Sequence, residues 1–508
     1  MLKDGKILVG KNGDYEASIL LNKANRHGLI TGATGTGKTV TLKVLAESFA
    51  SSGSSVFMVD VKGDLAGTAF MGTENDNVKS RVEKLGIQDN FKYTKFPVTF
   101  LDVYGKNGHP VRTTVFKIGH RILSKMLGLS EVQDSVLSII YNIAKEEGKE
   151  LVDLEDLNSM IVLLENKRNE YSLKYGNLSQ VTLATIKRNV LDFINEGGNE
   201  FFGKPYFDVK KFRSVDPDTG YGQINILDAQ ELFKKPTLYV SMIIWLLNSL
   251  NENYEEVGDL EKPKLVFFFD EAHLIFEEMP KSITDYVIQT IKIIRSKGIG
   301  IYFISQLPTD LPEEVLGQLG NRVQHALRAY TPNEQKSIKA AADSFRTNPN
   351  FDTKEAIQSL GTGEALVSFI DENGEPTVVE KVTILPPQSR MGVISDEERR
   401  QIINNSPISG IYEHKEEVRS AKDINKEELD AINKEKEEAE QAKIDAINAK
   451  EEEKKKKEEE KAKEKAKKEA EKEKKNSMGY KLGNKVKNKA ENKIIDKALN
   501  RLLKKFFK

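Results

Sequence analysis

Residues 32 to 39 read GATGTGKT, and residues 267 to 273 read FFFDEAH. The first stretch fits the pattern G-x-x-x-x-G-K-[ST], whose backbone N–H groups wrap around phosphate. Gly32, Gly35 and Gly37 permit the tight turn, with Ala33, Thr34 and Thr36 completing the loop. Lys38 supplies a cation for β- and γ-phosphate oxygens, and the Thr39 hydroxyl suits Mg²⁺. Val40 carries the chain into a helix whose positive end faces the same anion. The chemistry implied is capture of a nucleoside triphosphate together with Mg²⁺.

The second stretch is an apolar run ending in two acids. Beside a phosphate loop, Asp270 would hold Mg²⁺ and Glu271 would draw a proton from an attacking water. The alternative is that both acids simply cap the next helix. Ala272 and His273 begin that helix, with His273 at most a relay. A third polar group, Gln306, ends the strand in IYFISQLPTDLP, where a glutamine can touch both water and the terminal phosphate. Asp60, Lys62 and Asp64 in DVKGD follow the second strand on the nucleotide side. They either couple the site to a ligand or neighbour, or form a structural turn.

These residues need a scaffold, and the hydrophobic pattern supplies one. HGLIT (27 to 31) and SVFMVDV (55 to 61) read as short buried strands. Between them KTVTLKVLAESFASSG has near-helical apolar spacing and stops at Gly53. Strand, glycine turn, helix and strand make a βαβ unit of a parallel sheet. Further strands are expected at 98 to 104, 223 to 229, 265 to 270, 299 to 305, 322 to 330, 365 to 371 and 377 to 385. A helix is expected over 282 to 296.

The expected fold is α/β: a RecA-like P-loop core with a mostly parallel sheet, a helical insertion and a charged C-terminal tail. The core occupies 1–111 and 206–413, and the insertion 112–205. A Lys/Glu/Ala-rich spacer, helical or disordered, covers 414–475, and a basic amphipathic tail covers 476–508. In the spacer, opposite charges three and four residues apart support a solvated helix, and its heptad pattern is weak for a coiled coil.

The charged share is 31% and the apolar share 38%, the balance of a globular part joined to a solvated part. With no cysteine, disulfides, thiolate zinc sites and cysteine nucleophiles are excluded. The N-terminus lacks the apolar core of a signal peptide, and the run YVSMIIWLL is too short to span a bilayer, so a cytoplasmic protein is expected. Residues 476 to 508 hold ten Lys/Arg against two acids, whereas 1 to 420 is net −8. An acidic body weighs against a broad nucleic-acid-binding face. The basic tail suits nucleic acid, an acidic membrane surface or a protein groove.

The segments HGLITGATGTGKT, DVKGDLAG, FFFDEAH, RSKGIGIYFISQLPTDLP and LPPQSRMG, in this order, resemble the HerA/FtsK branch of P-loop ATPases. More narrowly, they are similar to the YjgR-like group of HerA-related proteins. The resemblance runs to about residue 413. It implies a homo-oligomeric ring, usually a hexamer, that hydrolyses ATP with Mg²⁺ at subunit interfaces and acts as a helicase-like motor. It assigns Lys38 and Thr39 to the phosphate loop, Asp270 and Glu271 to metal and base, and Gln306 to the sensor. It also implies that Arg295 reaches the neighbour's ATP as an arginine finger, with Arg322 and Arg328 as runners-up. The other reading of Arg295 is a helix C-terminal cap.

The chain departs from the HerA pattern at its start. Only about 26 residues precede the first strand, expected at 27, too few for the β-barrel that HerA translocases carry there. The membrane and DNA-reading modules of FtsK are missing as well. DNA is therefore one expected partner, and a nucleotide-gated scaffold recruiting partners through its tail is the competing reading. The letters DEAH also name a class of RNA helicases, but that class needs a second RecA-like domain. After Asp371 this chain offers only a short strand, a loop and the charged tail.

Overall fold

The computed structural model describes residues 1 to 476, apart from 259, 278 to 280 and 330. The basic tail anticipated beyond 476 lies outside the described residues. Residues Met1–Glu428 form one compact unit. Among the described residues its strands make a single 13-stranded sheet.

At the centre of that sheet the phosphate-loop strand Gly28–Thr31 lies between Asn321–Gln324 and Ile299–Ser305. Next come Leu265–Phe269, Ser55–Asp60, Ile224–Asp228, Val98–Asp102 and His109–Pro110. Every pairing in this block is parallel. These strands are almost continuously apolar because helices cover both faces, as a parallel sheet requires. The expected α/β class with a mostly parallel sheet is what the chain adopts.

Register across the centre is set by aromatic pairs on directly opposed residues. Phe267 meets Phe57 at 5.0 Å, Phe268 stacks on Tyr302 at 5.2 Å, and Phe269 stacks on Phe303 at 5.6 Å. Each Phe in the run is buried, which stabilises by roughly 1.5–3 kcal/mol apiece. Tyr302 needs space on its other side, and Gly28 provides it: a Cβ there would lie 2.3 Å from the ring. A one-residue slip would part every one of these ring pairs and turn each ring into the core of the opposite face, so the two acids following Phe269 have a fixed position.

Two expectations are corrected. The strand at 27 is not the first: Lys6–Asn12 and Tyr15–Leu20 form a hairpin, with Leu2–Lys3 pairing alongside. The hairpin joins the sheet through Glu380–Ile384, which is antiparallel to Glu364–Ser368 and it in turn to Asn321–Gln324. The opening residues therefore extend the sheet rather than lead into it. The strand expected over 322 to 330 is only Asn321–Gln324, because the chain then leaves the sheet to brace the phosphate loop.

Helices Val115–Met126, Glu131–Glu146, Leu154–Asn166, Arg168–Tyr175 and Gln180–Asn195 follow one another between the strands at 98 and 224. Capping boxes at Ser130/Gln133 and Asp153/Asp156 start two of them. Their apolar faces merge with helix Pro236–Asn253 into one core with the sheet. The Lys/Glu-rich segment is a helix, Ala421–Asn476. Its first turns belong to the compact unit: Glu428 pairs with Lys149 at 2.7 Å and Lys167 at 3.0 Å, and Lys422 pairs with Asp153 at 2.8 Å. From Leu429 onward it is a separate unit. Pairs such as Lys457–Glu453 support that part, and Ile444 and Ile447 are exposed. No helix among the described residues is long and apolar enough to cross a membrane.

Candidate nucleotide site

The phosphate loop leaves the C-terminal end of its strand and enters helix Lys38–Ser51 through Gly37, whose φ of 119° lies in the left-handed region. Three distant segments brace it. Gly32 N–H donates to Gln306 O (3.2 Å), Ala33 N–H to Ala326 O (2.9 Å), and Gly363 N–H to Thr36 O (2.9 Å). The His325 ring packs beside Gly32 and Gly37. Its Nε2 accepts from the Thr41 hydroxyl (2.8 Å) while Nδ1–H donates to Glu364 O (3.0 Å). Burial pushes its pKa down to about 4, which keeps the ring neutral and so makes Nε2 the acceptor.

Lys38 is buried, and Nζ donates to the loop's own carbonyls at Gly32 (2.6 Å) and Ala33 (3.1 Å). Burial lowers its pKa, and the charges of Glu271 and Asp270 act in the opposite direction. Thr39 and Val40 are half-buried, and Thr34 and Gly35 face solvent, with nothing within 4 Å of where a Gly35 Cβ would stand. The loop thus keeps an open concavity of N–H groups.

The acids arrive from two strands away. Ile299–Ser305 lies between the phosphate-loop strand and the acidic strand, so Asp270 stands about 10 Å across the sheet. Asp270 is buried; burial pushes its pKa up to about 6, opposed by the charge of Lys62. Its Oδ1 accepts from Glu271 N–H at 3.0 Å. Glu271 has φ 49°, an uncommon conformation for a side-chain-bearing residue and one that clusters at functional sites. Its Oε1 meets Lys62 Nζ at 2.6 Å. Burial raises the Glu271 pKa, but Lys62, together with His273 and Lys38, outweighs it and the net shift is downward. Its Oε2 lies 3.3 Å from His273 Nδ1, out of hydrogen-bond alignment, and neither atom has a hydrogen-bond partner.

Gln306 follows the intervening strand directly and is exposed at the same edge, lining a cleft with His273, Thr309 and Asp310. Asp60 anchors the DVKGD turn: its carboxylate accepts from the N–H groups of Lys62, Gly63 and Leu65. Burial, with Asp64 second, pushes its pKa up to about 7. Asp64 Oδ1 is buried without a hydrogen-bond partner.

Arg295 is not brought to this edge. It sits at the opposite end of the Ile299–Ser305 strand, about 20 Å along the sheet, in the turn Arg295–Lys297, where its carbonyl accepts from Asn25. Arg322 is half-buried and committed to the carbonyls of Leu316, Leu319 and Ser344. Arg328 is exposed and donates to Gln358 and Leu360 carbonyls. The contributions that sequence reasoning missed are the bracing by His325 and Gly363 and the Lys62–Glu271 pair. Only Lys62 carried a signal, through its place in DVKGD.

A glycine loop opening a helix at the C-terminal edge of a parallel sheet, with an acid pair beyond an intervening strand, defines the P-loop nucleotide-binding class. The chain belongs to the HerA-like helicase family: the model for the helicase HerA-like C-terminal region matches residues 6–505. It is similar to the DNA double-strand break repair helicase HerA of Saccharolobus solfataricus, 23% identical over 373 residues. The HerA of Sulfolobus acidocaldarius is 21% identical over 366 residues. Each alignment covers 72% of this chain and 66% of the relative. Among solved structures, the conjugative coupling protein TrwB aligns over 72% of this chain and 87% of its own, at TM-score 0.47 and 14% identity. VirB4 of Thermoanaerobacter pseudethanolicus aligns over 79% and 99%, at TM-score 0.45 and 16% identity.

Proposed function

We propose that the protein is an ATP-hydrolysing ring motor acting on DNA. The observation that carries the hydrolytic part is the facing of two groups across one strand: the Lys38 loop and the buried pair Asp270 and Glu271. The residues fit a magnesium nucleotide. Gly35 leaves room over the loop, Lys38 is held by carbonyls that phosphate oxygens can replace, and a buried Glu271 oxygen lacks a hydrogen-bond donor.

The loop N–H groups of Thr34, Gly35 and Gly37 to Val40 and the Lys38 ammonium bind and orient the β- and γ-phosphates, while the Gly32 and Ala33 N–H groups hold the loop to its braces. Thr39 and Asp270 would hold Mg²⁺, which when bound offsets phosphate charge. Glu271 accepts the proton of the attacking water, and its fixed backbone aims the carboxylate. Gln306 contacts water and terminal phosphate and passes the state of the site to the loop through its carbonyl. Arg295, at the far end of its strand and away from its own loop, serves a neighbouring subunit's site across a ring interface. A hexamer is the ring size we assign. The core comprises 1–111 and 206–413 around the insertion 112–205, followed in sequence by the spacer 414–475, whose start up to Glu428 joins the compact unit, and the tail 476–508.

DNA is proposed because the HerA relatives are named as DNA double-strand break repair helicases. The test is ATP turnover with and without DNA, on protein sized by light scattering. DNA-stimulated turnover with steep salt dependence is expected. Turnover indifferent to single- and double-stranded DNA would replace the motor with a nucleotide-gated scaffold.

A further inference from the structure

Lys62 stands on a pinned backbone while its side chain lies partly in solvent. Asp60 pins the turn through three N–H groups, and Gly63, at φ 79°, lets the Gln230 side chain pack where a Cβ would stand, 2.7 Å away. The Lys62 side chain is 43% exposed, whereas that of its partner Glu271 is 12% exposed. Lys62 therefore reaches in from solvent to a nearly buried carboxylate, and its charge is also felt at Lys38. Two ammonium groups thus stand at one phosphate-binding loop, one held by loop carbonyls and the other by the acid.

A carboxylate whose Oε1 is paired at 2.6 Å is a poor acceptor for a water proton. A triphosphate brings several negative charges into the concavity beside both ammonium groups, and a compact point charge on a flexible four-carbon stem can change partners. Resting on the ATPase reading of this site, we propose that Lys62 is a positioning residue that exchanges partners. Without a γ-phosphate it locks Glu271, and when a triphosphate binds it moves to the terminal phosphate and releases Glu271 to act. A diphosphate leaves the lock closed, so the base is freed only when there is a phosphate to transfer. No bond is made or broken in this step; one ion pair is traded for another.

The test is calorimetric binding of Mg²⁺ with ADP and with a non-hydrolysable ATP analogue, to full-length wild type, Lys62→Ala, Lys62→Met, Glu271→Ala and the Lys62/Glu271 double variant. Both Lys62 variants should lose on the order of tenfold in affinity for the ATP analogue and stay within about twofold for ADP. Glu271→Ala should bind the ATP analogue more tightly, and the gain should shrink at least about threefold when Lys62 is also replaced, the coupling expected of a shared partner. Equal losses for the two nucleotides, no loss for either, or additive effects in the double variant would overturn the exchange. Lys38→Ala separates this from the site reading. If it binds both nucleotides like wild type, or if wild type binds neither, the phosphate loop is misassigned and the exchange goes with it.

Discussion

Ser389 donates both its backbone N–H (3.1 Å) and its hydroxyl (2.5 Å) to Oε1 of Glu47, on the helix that follows the phosphate loop. Gln388 N–H fills Oε2 at 2.7 Å, and on the same helix Lys43 Nζ donates to Arg390 O. The LPPQSRMG segment is thereby strapped across the outer face of that helix. Gly67 closes the other side: its N–H donates to Gly392 O, and a Cβ there would lie 2.3 Å from Arg390 O.

Glu47→Ala leaves those donors unpaired and removes the acid nearest buried Lys43, whose pKa burial pushes down to about 8. It should destabilise the chain by about 2–4 kcal/mol, read as a shift in urea midpoint. Ser389→Ala, which removes only the hydroxyl, should cost about 1 kcal/mol. Equal effects of the two would mean that the backbone donors contribute nothing.

Lys38→Ala should abolish nucleotide binding, and Glu271→Gln should keep binding while turnover falls by roughly 10²–10⁴. Fluorescence titration of a nucleotide analogue and phosphate release separate the two effects. Normal turnover in Glu271→Gln would remove it from the role of base.

Arg295 lies at the wrong end of its strand to serve its own loop. Arg295→Ala should be inactive alone yet regain turnover when mixed with inactive Lys38→Ala, because a mixed interface joins one intact loop to one intact arginine. The finger assignment fails if no mixing ratio restores phosphate release.

His27 should make stability pH-dependent. Its Nε2–H donates to Ile291 O (3.0 Å) and its Nδ1 accepts from Ile301 N–H (3.0 Å), so the folded state holds the neutral ring. Burial, with the Arg295 charge adding to it, pushes the pKa down to about 4 from the ordinary 6.5. Between those values the unfolded chain binds the extra proton. The contribution is therefore complete above pH 6.5 and lost as pH falls toward 4, about 3 kcal/mol in all. Asp60, with its pKa raised to about 7, acts oppositely across the whole of this window. The comparison to make is therefore wild type against His27→Asn, a residue that tolerates the φ of 55° at this position. The stability gap between them should narrow as pH falls.

The legible parts of this molecule were those whose cause is local. GATGTGKT and FFFDEAH carry their chemistry in consecutive residues, and apolar runs such as IGIYFIS announce buried strands. The N-terminal hairpin has a local signal too, Gly13-Asp14 at its turn, but its alternation breaks at Gly10, where the register shifts. The bracing of the loop was not legible. His325 touches Thr41 across 284 residues, and Ser389 reaches Glu47 across 342; no spacing in the chain encodes those meetings. Arg81 is similar, its guanidinium donating to the carbonyls of Thr362, Gly363 and Ile384 and so holding the segment that holds Thr36. Lys62 falls between the two cases, since its motif was visible but its partner depended on register.

The hydrogen bond from Gly32 N–H to Gln306 O joins the turn after the Ile299–Ser305 strand directly to the first residue of the phosphate loop. Displacement of one drags the other, with no side chain between them to absorb the stroke. On the sensor role proposed for Gln306, substituting its side chain would blunt detection while leaving this backbone tether intact, so detection and transmission at this position are separable parts.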